Sequence, residues 1–156
     1  SLFCIGSINL DAYQIERKNL TMMGGSALNT AYFLKNLLDC SKFKILPVGL
    51  VGNDSHGETI LTKLKEKGFD TGSIKEIEGN SGHASIILDK DGERTINRFK
   101  SVNSELDIHI KEILDRIIKP HDFVHVKISL KVLEKVFEIT NELFCLCGLR
   151  SEGIYQ

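Results

Sequence analysis

"MMGGSALNTAYFLKNLL", residues 22–38, decides the fold: two adjacent glycines precede a helix whose first turn carries Asn29. A helix start that only had to resist fraying needs a cap, such as Ser26, and no glycine pair. Gly24 and Gly25 therefore imply that something comes close to the backbone there. Within the helix, Ala27, Ala31, Leu34 and Leu38 recur at helical spacing while Lys35, Asn36 and Asp39 fall on the other side. That pattern predicts an amphipathic helix packed on a sheet.

Strands flank this helix in the sequence. "LFCIGSI" (2–8) reads as a buried strand followed by a polar segment, and "KILPVGLVG" (44–52) as a second strand. "SHGE" (55–58) matches a capping box, with Ile60, Leu61 and Leu64 as the buried stripe of the helix it starts and Gly68 as its left-handed C-cap. "SIKEIEG", "GHASIILD" and "RTINRF" are short and alternating, and Asp91-Gly92 is a tight-turn signal, so residues 74–99 are expected to form an antiparallel insert. Leu106, Ile110, Ile113, Leu114 and Ile117 mark a further helix closed by Pro120; "DFVHVKI" is another buried strand, and a last helix is expected from about Leu130 to Leu143. Strands alternating with helices predict an α/β, Rossmann-like, largely parallel sheet flanked by helices, in one domain with a small antiparallel β insert.

Composition removes several function classes. The chain has 156 residues, enough for a real core, with 42% hydrophobic and 26% charged residues. No apolar run approaches the roughly 18 residues of a membrane span, and "SLFCIGSINLD" has no signal-peptide pattern, so neither a membrane nor secretion is expected and a cytoplasmic location is. A net charge of -1 offers no basic field for nucleic acid. Cys4 and Cys40 read as reduced structural thiols, and the pair Cys145 and Cys147 lacks a partner pair at zinc spacing. His56, His83, His109, His121 and His125 show no paired spacing either, so no metal site is expected in the chain.

One constellation carries chemistry. In "GSINLD", Asn9 and Asp11 are two apart and leave the strand on one side, at the carboxyl end where open parallel sheets bind ligands. Asn29 leans back toward the start of its helix. Asp11, Asn9, Gly24, Gly25 and Asn29 thus converge on one small polar ligand; a carboxylate, two carboxamides and open backbone N–H groups suit sugar hydroxyls, which both donate and accept. Each residue also has a structural reading: Asn9 and Asp11 as an Asx-type turn, Ser26 as a cap, Asn29 as a helix-start residue. The glycine pair is not a phosphate loop, since no Lys-Ser or Lys-Thr follows it and no G-x-G-x-x-G occurs.

Taken together, "IGSINLD", "GGSALNTAYFLKNL" and "VGLVGNDSHGETILTKLKEKGFDT" resemble, in order and spacing, the N-terminal motifs of the ribokinase-like (PfkB-type) carbohydrate and nucleoside kinases. The resemblance covers about residues 2–130. It implies a ribokinase-like fold and an ATP- and Mg²⁺-dependent phosphotransferase acting on a sugar or nucleoside hydroxyl. It makes Asp11, Gly24, Gly25 and Asn29 substrate contacts and Asn9 a weaker one. Residues 12–23 and 74–99 become elements of a lid, with Arg94 or Arg98 reaching the substrate from its edge or standing on a solvated strand face. "GNDSHG" (52–57) reads as a structural turn. The twelve residues between Asp11 and Gly24 resemble the shorter-lidded members, fructosamine-type sugar kinases among them. Lids in this family often pair between subunits, which points to a homodimer. Neither N-x-x-E nor D-T-x-G-A-G-D, the family's anion-hole and catalytic-base motif, occurs here, so no catalytic residue is assigned and the chain reads as the substrate-binding N-terminal half, inactive alone. The alternative reading is a non-catalytic sugar-binding or assembly module derived from that family.

Overall fold

The computed structural model describes residues 1–15 and 18–140, and the backbone of 145–147. Strands β1 (Leu2–Gly6), β4 (Ile45–Gly52), β5 (Ile74–Ile77), β8 (Phe123–Lys127) and β9 (Cys145–Cys147) form a five-stranded sheet in the order β5-β4-β1-β8-β9. Every neighbouring pair in it is parallel. A second sheet, β3-β2-β6-β7, is built from β2 (Asn9–Ile15), β3 (Lys18–Gly24), β6 (Ala84–Leu88) and β7 (Arg94–Arg98). There β2 and β3 form one hairpin and β6 and β7 another, while β2 and β6 run parallel.

The unbroken apolar runs of β1 and β4 follow from burial on both faces. Phe3 and Ile5 of β1 and Leu46, Val48 and Leu50 of β4 pack with α3 (Leu106–Asp115) and α4 (Leu130–Ile139). Cys4, Ile45 and Val51 point the other way, into a core shared with Ala27, Leu28 and Ala31 of α1 (Ser26–Leu37) and Ile60 and Leu64 of α2 (Ser55–Glu66). Burial pushes the Cys4 thiol up to about 12, so it stays a reduced structural thiol. The parallel sheet flanked by helices and the small insert agree with the reading from sequence. Among the described residues no helix is long and apolar enough to cross a membrane.

Several local expectations are corrected. "SIKEIEG" does not join the insert: β5 pairs in parallel with β4, Gly49 opposite Ile74, as the edge of the main sheet. The polar segment after β1 is the β2–β3 hairpin, the lid element expected within 12–23, of which 16 and 17 lie outside the described residues. The last helix ends at Ile139; the remainder of the span to Leu143, and the side chains of Cys145 and Cys147, lie outside the described residues. The capping box shifts by one: Asp54, not Ser55, caps α2, its carboxylate accepting from the Gly57 N–H at 2.8 Å. Gly68, with φ 70°, follows α2 as expected.

Ser26 is not a cap either. Gly25 occupies that position, and the Ser26 hydroxyl accepts from the Ser7 N–H at 3.0 Å and donates to the Lys127 carbonyl at 2.5 Å. It thereby ties the carboxyl ends of β1 and β8 together where the strand order reverses. A Cβ on Gly6 would stand 2.1 Å from that hydroxyl, so glycine is required there.

Candidate functional site

Asn9 and Asp11 do not lie at the end of β1, as the sequence suggested. β1 stops at Gly6, the chain turns at Ser7 and Ile8, and both residues open β2, the first strand of the second sheet. The turn is held from a distance. Asn103, in a single 3-10 turn (Val102–Glu105), accepts from the Ile8 N–H at 3.0 Å, donates to the Ile8 carbonyl at 3.1 Å and donates to Asn9 Oδ1 at 3.0 Å. One carboxamide replaces a strand partner, 95 residues away along the chain. Gly82 bridges to Asn9, and a Cβ on it would fall 2.1 Å from Asn9 Oδ1 and 2.3 Å from Asn103 Nδ2. Sequence reasoning missed both residues; the only signal for Gly82 was a glycine before an alternating strand.

Asn9 and Asp11 share a face of β2, as their spacing requires. On the neighbouring strand Gly24 faces Asn9, and its missing Cβ makes room for Asp11, whose Oδ2 would lie 2.3 Å from a methyl there. Gly25 adopts φ 90°, and a Cβ on it would sit 2.3 Å from the Ser7 carbonyl. The glycine pair is thus explained by two oxygen atoms of the protein itself. Asn29 stands in the first turn of α1 with its amide N–H on the Gly25 carbonyl at 3.0 Å; its side chain is exposed.

The Asp11 carboxylate is the site's electrostatic centre. It is only 8% exposed, and its Oδ1 is buried without a hydrogen-bond partner. Burial pushes its pKa above the ordinary value, against the Ala84 N–H, His83, Asn9 and Arg98, which pull it back. Arg98 ends β7 opposite Ala84 and is close enough to Asp11 to act on it. Arg94 pairs with Leu88 at the other end of β7, about 13 Å further along at 3.3 Å per residue, by the Asp91-Gly92 turn. The structure therefore brings Asn9, Asp11 and Gly24 together, sets Arg98 opposite Ala84 at the near end of β7, and leaves Arg94 apart. Asn29 is near the group only through Gly25.

"GNDSHG" is the structural turn expected of it. Asp54 accepts from the Ser81 hydroxyl at 2.6 Å and the Ser81 N–H at 2.9 Å in addition to Gly57, and Asn53 accepts from the Gly79 N–H at 3.1 Å. Burial alone would raise the Asp54 pKa; the Ser81 and Gly57 hydrogen bonds and His56 outweigh it and hold the carboxyl below its usual range.

Comparison with known proteins bears on the fold and the family. The chain is 29% identical to a fructosamine kinase of Bacillus subtilis over 95% of its own length and 48% of the relative's. It spans less than half the length of the curated relatives it matches. It superposes on a Burkholderia thailandensis nucleoside kinase in complex with inosine, with a TM-score of 0.74 at 17% identity, covering 94% of this chain and 52% of that one. On an Arabidopsis thaliana ribokinase complexed with ribose and ATP the TM-score is 0.65 at 21% identity, covering 98% and 54%. These likenesses show the ribokinase-like fold. Residues 1–143 match the pfkB family carbohydrate kinases, and the chain belongs to that family.

Proposed function

We propose that this chain is the acceptor-binding half of a kinase that transfers the γ-phosphoryl group of ATP to a hydroxyl of a sugar or nucleoside. The observation that carries the reading is the Asp11 carboxylate, packed against Gly24 with a buried oxygen that has no partner. A buried charged oxygen is costly to leave unsatisfied, and a ligand hydroxyl donating to it relieves that cost. Asp11 accepts from one or two vicinal hydroxyls. The Asn9 carboxamide, whose oxygen is taken by Asn103, offers its N–H donors. Gly24 and Gly25 leave the backbone open, and Asn29 and Arg98 close the ligand in from α1 and from the lid edge. Phosphoryl transfer is chiefly positioning and charge stabilisation, and this half supplies the positioning.

ATP and Mg²⁺ enter this proposal from the family. Among the described residues no group of three or more His, Cys, Asp and Glu side chains gathers to hold a cation, and no phosphate loop precedes α1, so no step is routed through either. A homodimer through the lid belongs to the same reading. Leu20 and Met22, 47% and 54% exposed, share a β3 face with Lys18, and β2 sets Tyr13 and Ile15 beside them.

The test is calorimetry of the purified chain with D-ribose, D-fructose, a fructosamine and inosine. At least one is expected to give saturable heat, weakened in Asp11→Ala by about 1.5 to 3 kcal/mol, the worth of a charged hydrogen bond, with the melting curve retained. No binding to any of them overturns the acceptor site.

A further inference from the structure

We infer that His83 is a positioning residue for Asp11, an inference that rests on Asp11 as the acceptor ligand. The two residues are coupled through the peptide between Leu10 and Asp11. A peptide unit is planar, so fixing the direction of the Leu10 carbonyl fixes the direction in which Asp11 leaves the strand. That carbonyl accepts from His83 Nδ1 at 2.7 Å, and because a carbonyl only accepts, Nδ1 carries the proton.

The bond replaces one that a regular sheet would make. The Leu10 N–H donates to the Gly82 carbonyl at 2.9 Å, as one rung of a parallel ladder with His83 opposite Leu10. The next rung would be the Ala84 N–H to the Leu10 carbonyl. Instead, the regular register between β2 and β6 starts only at Ala12 opposite Ser85, and the Ala84 N–H is near enough to the Asp11 carboxylate to lower its pKa. The imidazole takes the carbonyl that this rung would use. His83 thus acts on Asp11 through the plane of its peptide.

The ring is itself held. It stacks between His56, with centroids 5.1 Å apart and planes 27° apart, and Phe99, at 5.3 Å and 20°. His56 belongs to the first turn of α2, which Asp54 ties to Ser81, two residues before His83. Phe99 follows β7 directly and bonds through its N–H to the His83 carbonyl at 3.3 Å. The stack therefore joins the main sheet's helix layer to both strands of the second lid hairpin, across the ring that orients Asp11.

Two substitutions separate this role from bulk and polarity. In His83→Asn the carboxamide nitrogen stands about where Nδ1 does and still donates to Leu10; in His83→Gln the donor is one bond further out and misses it. Sugar binding to the panel above, measured by calorimetry, is expected to weaken about tenfold in His83→Gln and to stay within about threefold of the parent in His83→Asn. Amide exchange at Ala84, referred to core amides of β4 so that global changes cancel, is expected to slow in His83→Gln, where the Leu10 carbonyl is free to take the Ala84 N–H as the next rung, and to return to the parent rate in His83→Asn. Equal weakening in both variants, or none in either, overturns the inference. If the parent binds no sugar of the panel, the acceptor reading has failed, and exchange at Ala84 alone decides: unchanged or faster rates in His83→Gln overturn the positioning role, and slower rates reversed by His83→Asn support it.

Discussion

Asp11 carries a charge in a place that disfavours it, with one carboxylate oxygen buried and unpartnered and its pKa raised by that burial. An acid whose folded pKa lies above its unfolded value makes the native state bind more protons, so stability rises as the pH falls through the folded value and the cost is present above it. Asp11→Asn is therefore expected to raise the melting temperature at neutral pH, with the gain shrinking as the pH falls through the folded value of Asp11 and its side chain becomes neutral, while sugar binding is lost. A melting temperature that falls at neutral pH sinks this. The sequence exposed this residue by spacing alone, since two polar side chains two apart before a glycine pair share a face in any extended chain. It hid Asn103, Gly82 and His83, whose roles come from contacts across 73 to 95 residues. For the glycines it offered only the approach of a ligand. The structure adds an internal cause, a carboxylate over Gly24 and a carbonyl under Gly25, and a lone sequence cannot tell an oxygen of its own from one of a ligand.

At the scale of elements, the start of α2 is held by a carboxylate with three donors on it: the Gly57 N–H, the Ser81 N–H and the Ser81 hydroxyl. Asp54→Ala removes a cap and strands the donors of Ser81 together, for an expected loss of about 2 to 3 kcal/mol in denaturant unfolding. The Asp54 pKa is lowered in the folded state, so this stabilisation is present above the unfolded value of about 3.9 and is lost as the pH falls through the folded one. A parent-minus-variant difference that does not shrink below pH 4 excludes the carboxylate as its source. Elements with one strong period were legible: the α1, α2 and α3 stripes and the doubly buried strands β1 and β4. β5 was assigned to the wrong sheet because its buried and exposed residues alternate like those of a half-covered antiparallel strand, which is also what the edge of a parallel sheet looks like. The β2–β3 hairpin went unread because Lys18 to Met22 are exposed on both faces and leave no period to read.

Across the whole molecule, two cores on the two faces of one sheet make a folded unit from a chain that spans 48% of its fructosamine kinase relative. The chain is expected to release no sugar-dependent ADP with ATP and Mg²⁺ in a coupled assay, since no residue here matches a catalytic base or an anion hole, each worth about 10²-fold or more. Turnover above about one per second, the low end for kinases, refutes it. The clamp of Asn103 on Ile8 reaches further than the site it holds. Joining positions 95 residues apart closes most of the chain into one loop, whose entropic cost grows as (3/2)RT ln n and comes to about 4 kcal/mol before any constant. Contacts of that separation form after the folding barrier unless they belong to the nucleus. Asn103→Ala is accordingly expected to speed unfolding by about tenfold and to leave the refolding limb of the chevron unchanged. The turn that presents Asn9 and Asp11 is then locked late, and on the ribosome it waits until residue 103 has cleared the exit tunnel.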